Sequence, residues 1–70
     1  MNRKNVTSSN IRSIGYDEQA KVLEVEFISG AVYQYTGVSL IIFNGLMNAG
    51  SHGTYFHNFI RDKFHNIRIK

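Results

Sequence analysis

The stretch from residue 23 to residue 35 constrains the fold more than any other part of the chain. Its first half alternates apolar and acidic side chains, in the order Leu23, Glu24, Val25, Glu26 and Phe27. A period of two is typical of a strand with one buried face and one wet face. Ser29-Gly30 then provides a two-residue turn signal, and a second strand is predicted at residues 31–36. This stretch is therefore predicted to be a β-hairpin.

The register of the predicted hairpin decides which way its two tyrosines point. A two-residue turn without a bulge places Glu26 opposite Tyr33 and Glu24 opposite Tyr35. Both tyrosines then share the wet face with the two glutamates, away from the predicted core face. A bulge near Gly30 would instead move the tyrosines to the core face. The sequence leaves these two registers open.

Two helices are predicted after the hairpin. The first spans residues 38–49, with Ser39 as its N-cap and Gly50 as its end, and its many apolar residues predict a largely buried helix. Gly45 inside it predicts close packing against another element. The second spans residues 52–65, with Ser51 as its N-cap. Its apolar residues recur every three or four positions, at Phe56, Phe59, Ile60, Phe64 and Ile67.

The expected fold class is α+β, with a three-stranded antiparallel β-meander followed by two α-helices packed on one sheet face. The first strand of the meander is predicted at residues 10–16, and residues 1–7 are expected to be flexible. Seventy residues allow a single domain, residues 1–70.

The chain contains no cysteine, which excludes disulfides and thiolate metal sites. No apolar run reaches the ~20 residues of a spanning helix, so we expect a cytoplasmic protein without membrane contact.

Positive charge gathers at the two ends of the chain, because residues 27–60 contain no Asp, Glu, Lys or Arg. His57, Arg61 and His65 are spaced four apart and would share one face of the second predicted helix, with Arg68 just beyond them. They predict either a surface that contacts phosphates or an ordinary solvated helix face. The free backbone amides of residues 51–53 at the start of that helix predict either a further anion site or a simple capping turn between the helices. In an anion site, Gly53 would allow a phosphate to approach closely and a protonated His52 would add positive charge.

Motifs for catalysis or metal binding were not found. The three histidines lack the three- or four-residue spacing of paired helical ligands, and neither a Gly-x-Ser-x-Gly elbow nor a phosphate-binding Gly-x-x-x-x-Gly-Lys loop is present. We therefore expect a non-enzymatic protein with no metal, no cofactor and no small-molecule substrate.

Several short motifs together resemble one known family. In chain order they are Ser8-Ser9, Ile14-Gly15-Tyr16, Leu23-x-Val25-x-Phe27, Gly30, Tyr33-Gln34-Tyr35, Ser51-x-Gly53-x-Tyr55-Phe56 and Ile60-Arg61. The chain is similar to the KTSC domain, a small bacterial module named after the C-terminus of certain lysyl-tRNA synthetases and also found alone, sometimes associated with phages. It departs from the family pattern at Ser39, where relatives often have proline, and at His52, where they often have lysine. The resemblance implies a role in RNA binding.

Two hypotheses about function follow from these observations. In the first, the protein is an RNA-binding module, in which the tyrosines stack on bases and the basic residues contact phosphates. In the second, it is a protein–protein interaction module, either a homodimer or bound to another protein, that uses the tyrosine face. The glutamates beside the tyrosines favour the second hypothesis, and the basic ends favour the first. The contact residues predicted for either partner are Tyr33, Tyr35, His52, Gly53, His57, Arg61 and Arg68.

Overall fold

The computed structural model describes residues 1–70 and contains one antiparallel sheet and two helices. The strands are β1 (Arg3–Asn5), β2 (Ile11–Asp17), β3 (Val22–Phe27), β4 (Val32–Thr36) and β5 (Asn66–Arg68), and the helices are α1 (Leu40–Asn48) and α2 (His52–Phe59). The strands lie side by side in chain order, so β4 and β5 are neighbours although both helices come between them. The α+β class with two helices is confirmed, but the sheet has five strands and not the predicted three.

The first additional strand comes from the segment that was expected to be flexible. Arg3–Asn5 pairs with residues 13–15 of β2. Gly15 permits this close approach, because a Cβ atom there would lie only 2.8 Å from the carbonyl oxygen of Asn2. The Arg3 side chain also pairs with Glu24 of β3, across the neighbouring strand. These contacts fix the amino-terminal residues as an edge strand.

The second additional strand follows directly after the segment that was predicted as the second helix. Helix α2 ends at Phe59, and residues 66–68 pair instead with the outer edge of β4. Two backbone bonds flank this pairing, from Thr36 N–H to His65 O at 2.9 Å and from Val32 N–H to Lys70 O at 3.0 Å. The partners that β4 needs along this edge thus come from the last residues of the chain. Arg61 and His65 are consequently not on the helix, Arg68 lies in a strand, and the prediction of a helix through residue 65 is wrong.

The hairpin between β3 and β4 adopts the bulged register that the sequence left open. Its turn contains three residues, 28–30, with Phe27 N–H donating to Ala31 O and Gly30 N–H donating to Phe27 O, both at 2.9 Å. Gly30 has a φ of +97°, a conformation that side-chain-bearing residues rarely adopt. The extra turn residue shifts the pairing by one, so the register predicted for a two-residue turn is wrong.

The new register places both tyrosines on the face that the helices cover. Val25 lies opposite Tyr33 and Leu23 lies opposite Tyr35, and residues directly opposite each other share a face. The buried core on this face joins β2, β3 and β4 to the helices, and consists of Ile11, Ile14, Leu23, Val25, Tyr35, Val38, Leu46, Phe56 and Ile60. Tyr35 is therefore part of the core and does not lie on an open sheet face.

The helices meet the sheet with their inner sides only. Ser39 and Ser51 are confirmed as N-caps, accepting from the N–H groups of Ile42 and Thr54 respectively. Helix α1 buries Leu46 alone, while Ile41 remains 81% exposed, so the prediction of a largely buried helix is wrong. With a single helical layer, nothing covers the outer side of α1.

Close packing at the glycine of α1 is confirmed. A Cβ atom at Gly45 would lie 2.1 Å from Oη of Tyr55, so the ring of Tyr55 on α2 sits directly against the α1 backbone. This contact fixes the two helices close together.

Neither helix has the length and apolar character needed to cross a bilayer.

Candidate functional site

A pocket of about 470 Å³ opens between the turn end of the hairpin and helix α2. Strands β3 and β4, helix α2 and the segment between α2 and β5 all contribute to its lining. The pocket brings together five of the seven predicted contact residues, namely Tyr33, Tyr35, Gly53, His57 and Arg61. It is the place where the aromatic and basic residues singled out from the sequence meet.

Tyr35 forms the floor of this pocket. Its side chain is only 4% exposed, and its ring packs edge-on against Phe56 with centroids 5.3 Å apart. The hydroxyl makes no hydrogen bond within the chain. Every side-chain oxygen that is sealed from solvent does have a hydrogen-bond partner, so this hydroxyl is in contact with solvent. It follows that the hydroxyl reaches the pocket space. Burial, followed by the nearby Tyr33, raises the pKa of Tyr35 to about 12, so the hydroxyl keeps its proton at neutral pH.

Tyr33 forms the side wall of the pocket next to Tyr35. It is half-buried, and its ring lies 6.4 Å from that of Tyr35 and 5.9 Å from that of Phe27, the latter in a T-shaped arrangement. One part of the ring is packed against its neighbours and another part is open to the pocket. The tyrosines therefore offer a cleft with aromatic walls, and they do not lie on the wet sheet face where a two-residue turn would have placed them.

Arg61 and His57 supply the basic side of the pocket. They lie four residues apart in the sequence, and Nη1 of Arg61 is 3.2 Å from Nδ1 of His57. Because a guanidinium only donates, Nδ1 of His57 acts as the acceptor in this contact, which puts the ring proton on Nε2. Both side chains are exposed, so they can turn toward a ligand at the mouth of the pocket.

Four polar residues of the lining were not predicted as contact residues. They are Asn10, Ser29, Asp62 and Asn66. Asn66 could not have been found, because it enters the pocket through β5, a strand that the sequence did not predict. Asp62 carried a signal, since it is the single acidic residue among the basic ones that close the chain. No three histidine or carboxylate side chains converge in the structure as metal ligands would.

At the start of α2, where an anion site was predicted, Gly53 packs closely against another segment. A Cβ atom at Gly53 would lie 2.5 Å from Oδ1 of Asn10, so this glycine accommodates the loop before β2. Nδ1 of His52 lies 2.8 Å from the carbonyl oxygen of Leu46 at the end of α1. Gly53 still borders the pocket, whereas His52 lies outside it.

Arg68 is the other predicted contact residue that does not line the pocket. It lies directly opposite Tyr33 in the pairing of β4 with β5, and so leaves the sheet on the same face as Tyr33. Its Nε donates to the backbone oxygen of Lys70 at 3.0 Å. Arg68 is thus a neighbour of the pocket and is tied to the end of the chain.

The two glutamates of β3 lie on the opposite face of the sheet, away from the pocket. Glu24 is 5% exposed, pairs with Arg3 and accepts from Nε2 of Gln34 at 2.8 Å. Glu26 accepts from Oγ of Ser13 at 2.8 Å. Burial by itself raises the pKa of Glu24, but the hydrogen bonds from Gln34 and Arg3 outweigh it and the pKa is lowered. These carboxylates are held in a network of their own and do not border the tyrosines.

Comparison with known proteins gives a consistent family match. The model of the KTSC domain matches residues 7–64. An uncharacterized protein of Stutzerimonas stutzeri is 44% identical over 57 residues, which make up 81% of this chain and 80% of that protein. A crystal structure of a KTSC domain protein from Yersinia pestis superimposes with a TM-score of 0.96 at 39% identity, covering 99% of this chain and 97% of that one.

Larger proteins contain a similar segment. A lysine–tRNA ligase of Trichormus variabilis is 45% identical over 56 residues, and one of Nostoc sp. is 41% identical over 56 residues. The matched segment is 80% of this chain but only 10% of each ligase. The chain therefore corresponds to about a tenth of the length of these ligases.

Proposed function

This chain belongs to the KTSC domain family, and we propose that it is a small non-catalytic module that binds RNA by taking one unpaired nucleotide into the pocket above Tyr35. The observation that carries the proposal is the hydroxyl of Tyr35. It belongs to a side chain that is 4% exposed, it has no partner in the chain, and it faces a pocket of about 470 Å³. A phenolic hydroxyl both donates and accepts hydrogen bonds, so one that opens into a pocket without a partner in the chain is available to a ligand.

The walls of the pocket fit a nucleobase. Its volume is in the range of about 300–1,000 Å³ that is usual for small-ligand sites. The ring of Tyr33 is half-open to the pocket and Phe27 packs beside it. Stacking of a base on such a ring typically contributes about 1–3 kcal/mol and tolerates any base. Single-stranded RNA offers unstacked bases that can enter a cleft of this kind.

The position of the two glutamates of β3 also favours RNA. In the predicted register, Glu24 and Glu26 would have stood beside the tyrosines and repelled phosphates. In the structure they lie on the far face of the sheet, where Arg3 neutralises Glu24. Arg61 remains at the pocket as a guanidinium that fits a phosphate group in a bidentate manner. The chain carries a net charge of +3, which adds a weak general attraction.

The relatives point in the same direction. Two of the similar proteins are lysine–tRNA ligases, enzymes that act on tRNA, and each contains a segment 41% or 45% identical to this chain. The matched segment is a tenth of each ligase, which fits an accessory role beside the rest of the enzyme. If the segment contacts RNA within the ligases, a protein that consists of this domain alone is expected to contact RNA as well.

Equilibrium binding to RNA tests the proposal. Fluorescence anisotropy of a labelled, mixed-sequence single-stranded RNA is measured at 50 mM salt for the wild-type protein and for two neutralised variants. Arg61→Gln is expected to weaken binding about tenfold or more, since it removes a charged hydrogen-bonding group from the pocket. Lys63→Gln removes the same charge outside the pocket and is expected to change affinity less than about twofold. Equal effects of the two variants, or no binding by the wild type, would overturn the proposal.

A protein-interaction function is the alternative. It is supported by exposed apolar residues of the helices and no longer by the tyrosine face. Buried Tyr35 is not available to a flat partner, but the outer side of the helices leaves Ile41 81% exposed and Phe59 51% exposed. Exposed apolar side chains of this size favour a partner when they are contiguous. Light scattering at high protein concentration, on the wild type and on Ile41→Ser, tests self-association. A dimer that Ile41→Ser dissociates would support this alternative.

A further inference from the structure

Asp62 is unusual in a pocket that otherwise presents positive charge, hydroxyls and amides. It lines the pocket next in sequence to Arg61. Both ion pairs of the chain involve Arg3, so the Asp62 carboxylate is not neutralised by a basic side chain. A carboxylate in this position disfavours phosphates and favours a group on the ligand that donates hydrogen bonds.

The bases of RNA differ in the donors that they can offer to a carboxylate. Guanine carries two adjacent donors on its Watson–Crick edge, N1–H and the N2 amino group, and they match the two oxygens of a carboxylate. Adenine and cytosine each offer one amino group beside an acceptor, and uracil offers one imide N–H between two acceptors. An ionised carboxylate only accepts, so it pairs fully with guanine and incompletely with the other three bases.

The hydroxyl of Tyr35 completes this pattern. Tyr35, Arg61 and Asp62 line the same pocket. A protonated tyrosine donates one hydrogen bond, and guanine presents O6 as an acceptor directly beside N1–H. A hydroxyl donor and a carboxylate that share one pocket therefore match O6, N1 and N2 of guanine, whereas adenine presents a donor where guanine has O6.

Within the proposed RNA-binding function, we propose that the pocket selects guanine. The Asp62 carboxylate accepts from N1–H and N2–H₂, the Tyr35 hydroxyl donates to O6, and Arg61 contacts the neighbouring phosphate. Bases in unpaired RNA are commonly read on this edge while an aromatic side chain contacts their face. Tyr33 supplies that aromatic side chain here.

Four short RNAs that differ at one position test this inference. The pentamers UUGUU, UUAUU, UUCUU and UUUUU are titrated by competition against a labelled mixed-sequence RNA. UUGUU is expected to bind about tenfold more tightly than the other three, a difference equal to about 1.4 kcal/mol. If all four compete equally, the guanine inference is overturned while RNA binding stands. If none competes and the labelled RNA does not bind either, both proposals are overturned.

The variant Asp62→Asn assigns the preference to the carboxylate. An amide of the same shape presents one donor and one acceptor, so it no longer matches the two donors of guanine. The tenfold preference for UUGUU is expected to fall below about twofold, while affinity for the other pentamers does not decrease. Glu18→Gln is the matched control, because it removes one negative charge from an exposed residue outside the pocket. Retention of the preference in Asp62→Asn would overturn the assignment.

Discussion

Tyr35 lies directly opposite Leu23 in the hairpin, and this pairing places its ring in the core under α2 and its hydroxyl at the floor of the pocket. The relationship depends on one additional turn residue. With a two-residue turn, Tyr35 would lie opposite Glu24 on the far face of the sheet. The three-residue turn ending at Gly30 therefore determines both the core and the candidate site.

Substitution of Gly30 tests the turn. Gly30→Ala forces a side chain into a backbone conformation with φ of +97°, and no atom within 4 Å would clash with the new methyl group. The expected cost is therefore conformational, about 1–2 kcal/mol in the free energy of unfolding. Gly50→Ala is the control, since that glycine has no positive φ and its surroundings are also open. Denaturant unfolding should show no loss of stability for Gly50→Ala, and an equal loss in both variants would contradict the turn.

Much of the fold could be predicted from local patterns. A few consecutive residues were enough to predict the alternation in β3, the serine caps of both helices and the close packing at Gly45. The two edge strands were missed for a physical reason. Arg3–Asn5 and Asn66–Arg68 are three residues each, and their conformation is set by partners far along the chain, Gly15 and Tyr33 among them.

The candidate site was predicted in its residue types but not in its geometry. Tyr33, Tyr35, His57 and Arg61 were identified from the sequence, and the pocket brings them together. Their arrangement depends on whether the hairpin turn contains two residues or three. The alternation of apolar and polar residues does not reveal the length of the turn. The resulting shift of register placed Glu24 on the opposite face of the sheet from the tyrosines, which removed the argument against RNA that rested on this glutamate.

Acid titration tests the network on the far face of the sheet. The pKa of Glu24 is lower in the folded protein than the ordinary value of 4.5. The stabilisation that this lowering represents is present above about pH 4.5 and is lost as the pH falls through the lower folded value. Glu24→Gln is expected to cost about 1–3 kcal/mol at neutral pH and to flatten the loss of stability in acid. Glu18→Gln, an exposed control, should follow the wild-type profile in denaturant unfolding at each pH.

Alkaline titration tests the burial of Tyr35. Its pKa is raised to about 12 from an ordinary value of 10.0, chiefly by burial. The unfolded chain therefore loses this proton first, and the contribution of Tyr35 to stability is expected to decline between about pH 10 and pH 12. Tyrosinate absorbance of the folded protein should show an ionisation near pH 12 that is missing in Tyr35→Phe. An unchanged titration curve in that variant would place the ring outside the core.

The dependence of RNA binding on salt tests how many cationic groups the site uses. Four cationic contacts, as on the basic helix face predicted from the sequence, would give a log–log slope of about −3 and a loss of about fiftyfold from 50 to 200 mM salt. The structure leaves Arg61 as the basic residue of the pocket that is always charged. One contact gives a slope of about −0.7 and a loss of about threefold over the same range. A fiftyfold loss would indicate a broad basic surface and contradict the pocket.

The Tyr35→Phe variant tests the central claim most directly, because it removes the unpartnered hydroxyl and keeps the ring. Affinity for the labelled single-stranded RNA and the free energy of unfolding are measured on the same samples. Stability should change by less than about 0.5 kcal/mol, since the hydroxyl makes no hydrogen bond within the chain. Affinity should fall about three- to tenfold, the value of one lost hydrogen bond to the ligand. Unchanged affinity in a stably folded Tyr35→Phe protein would contradict the account.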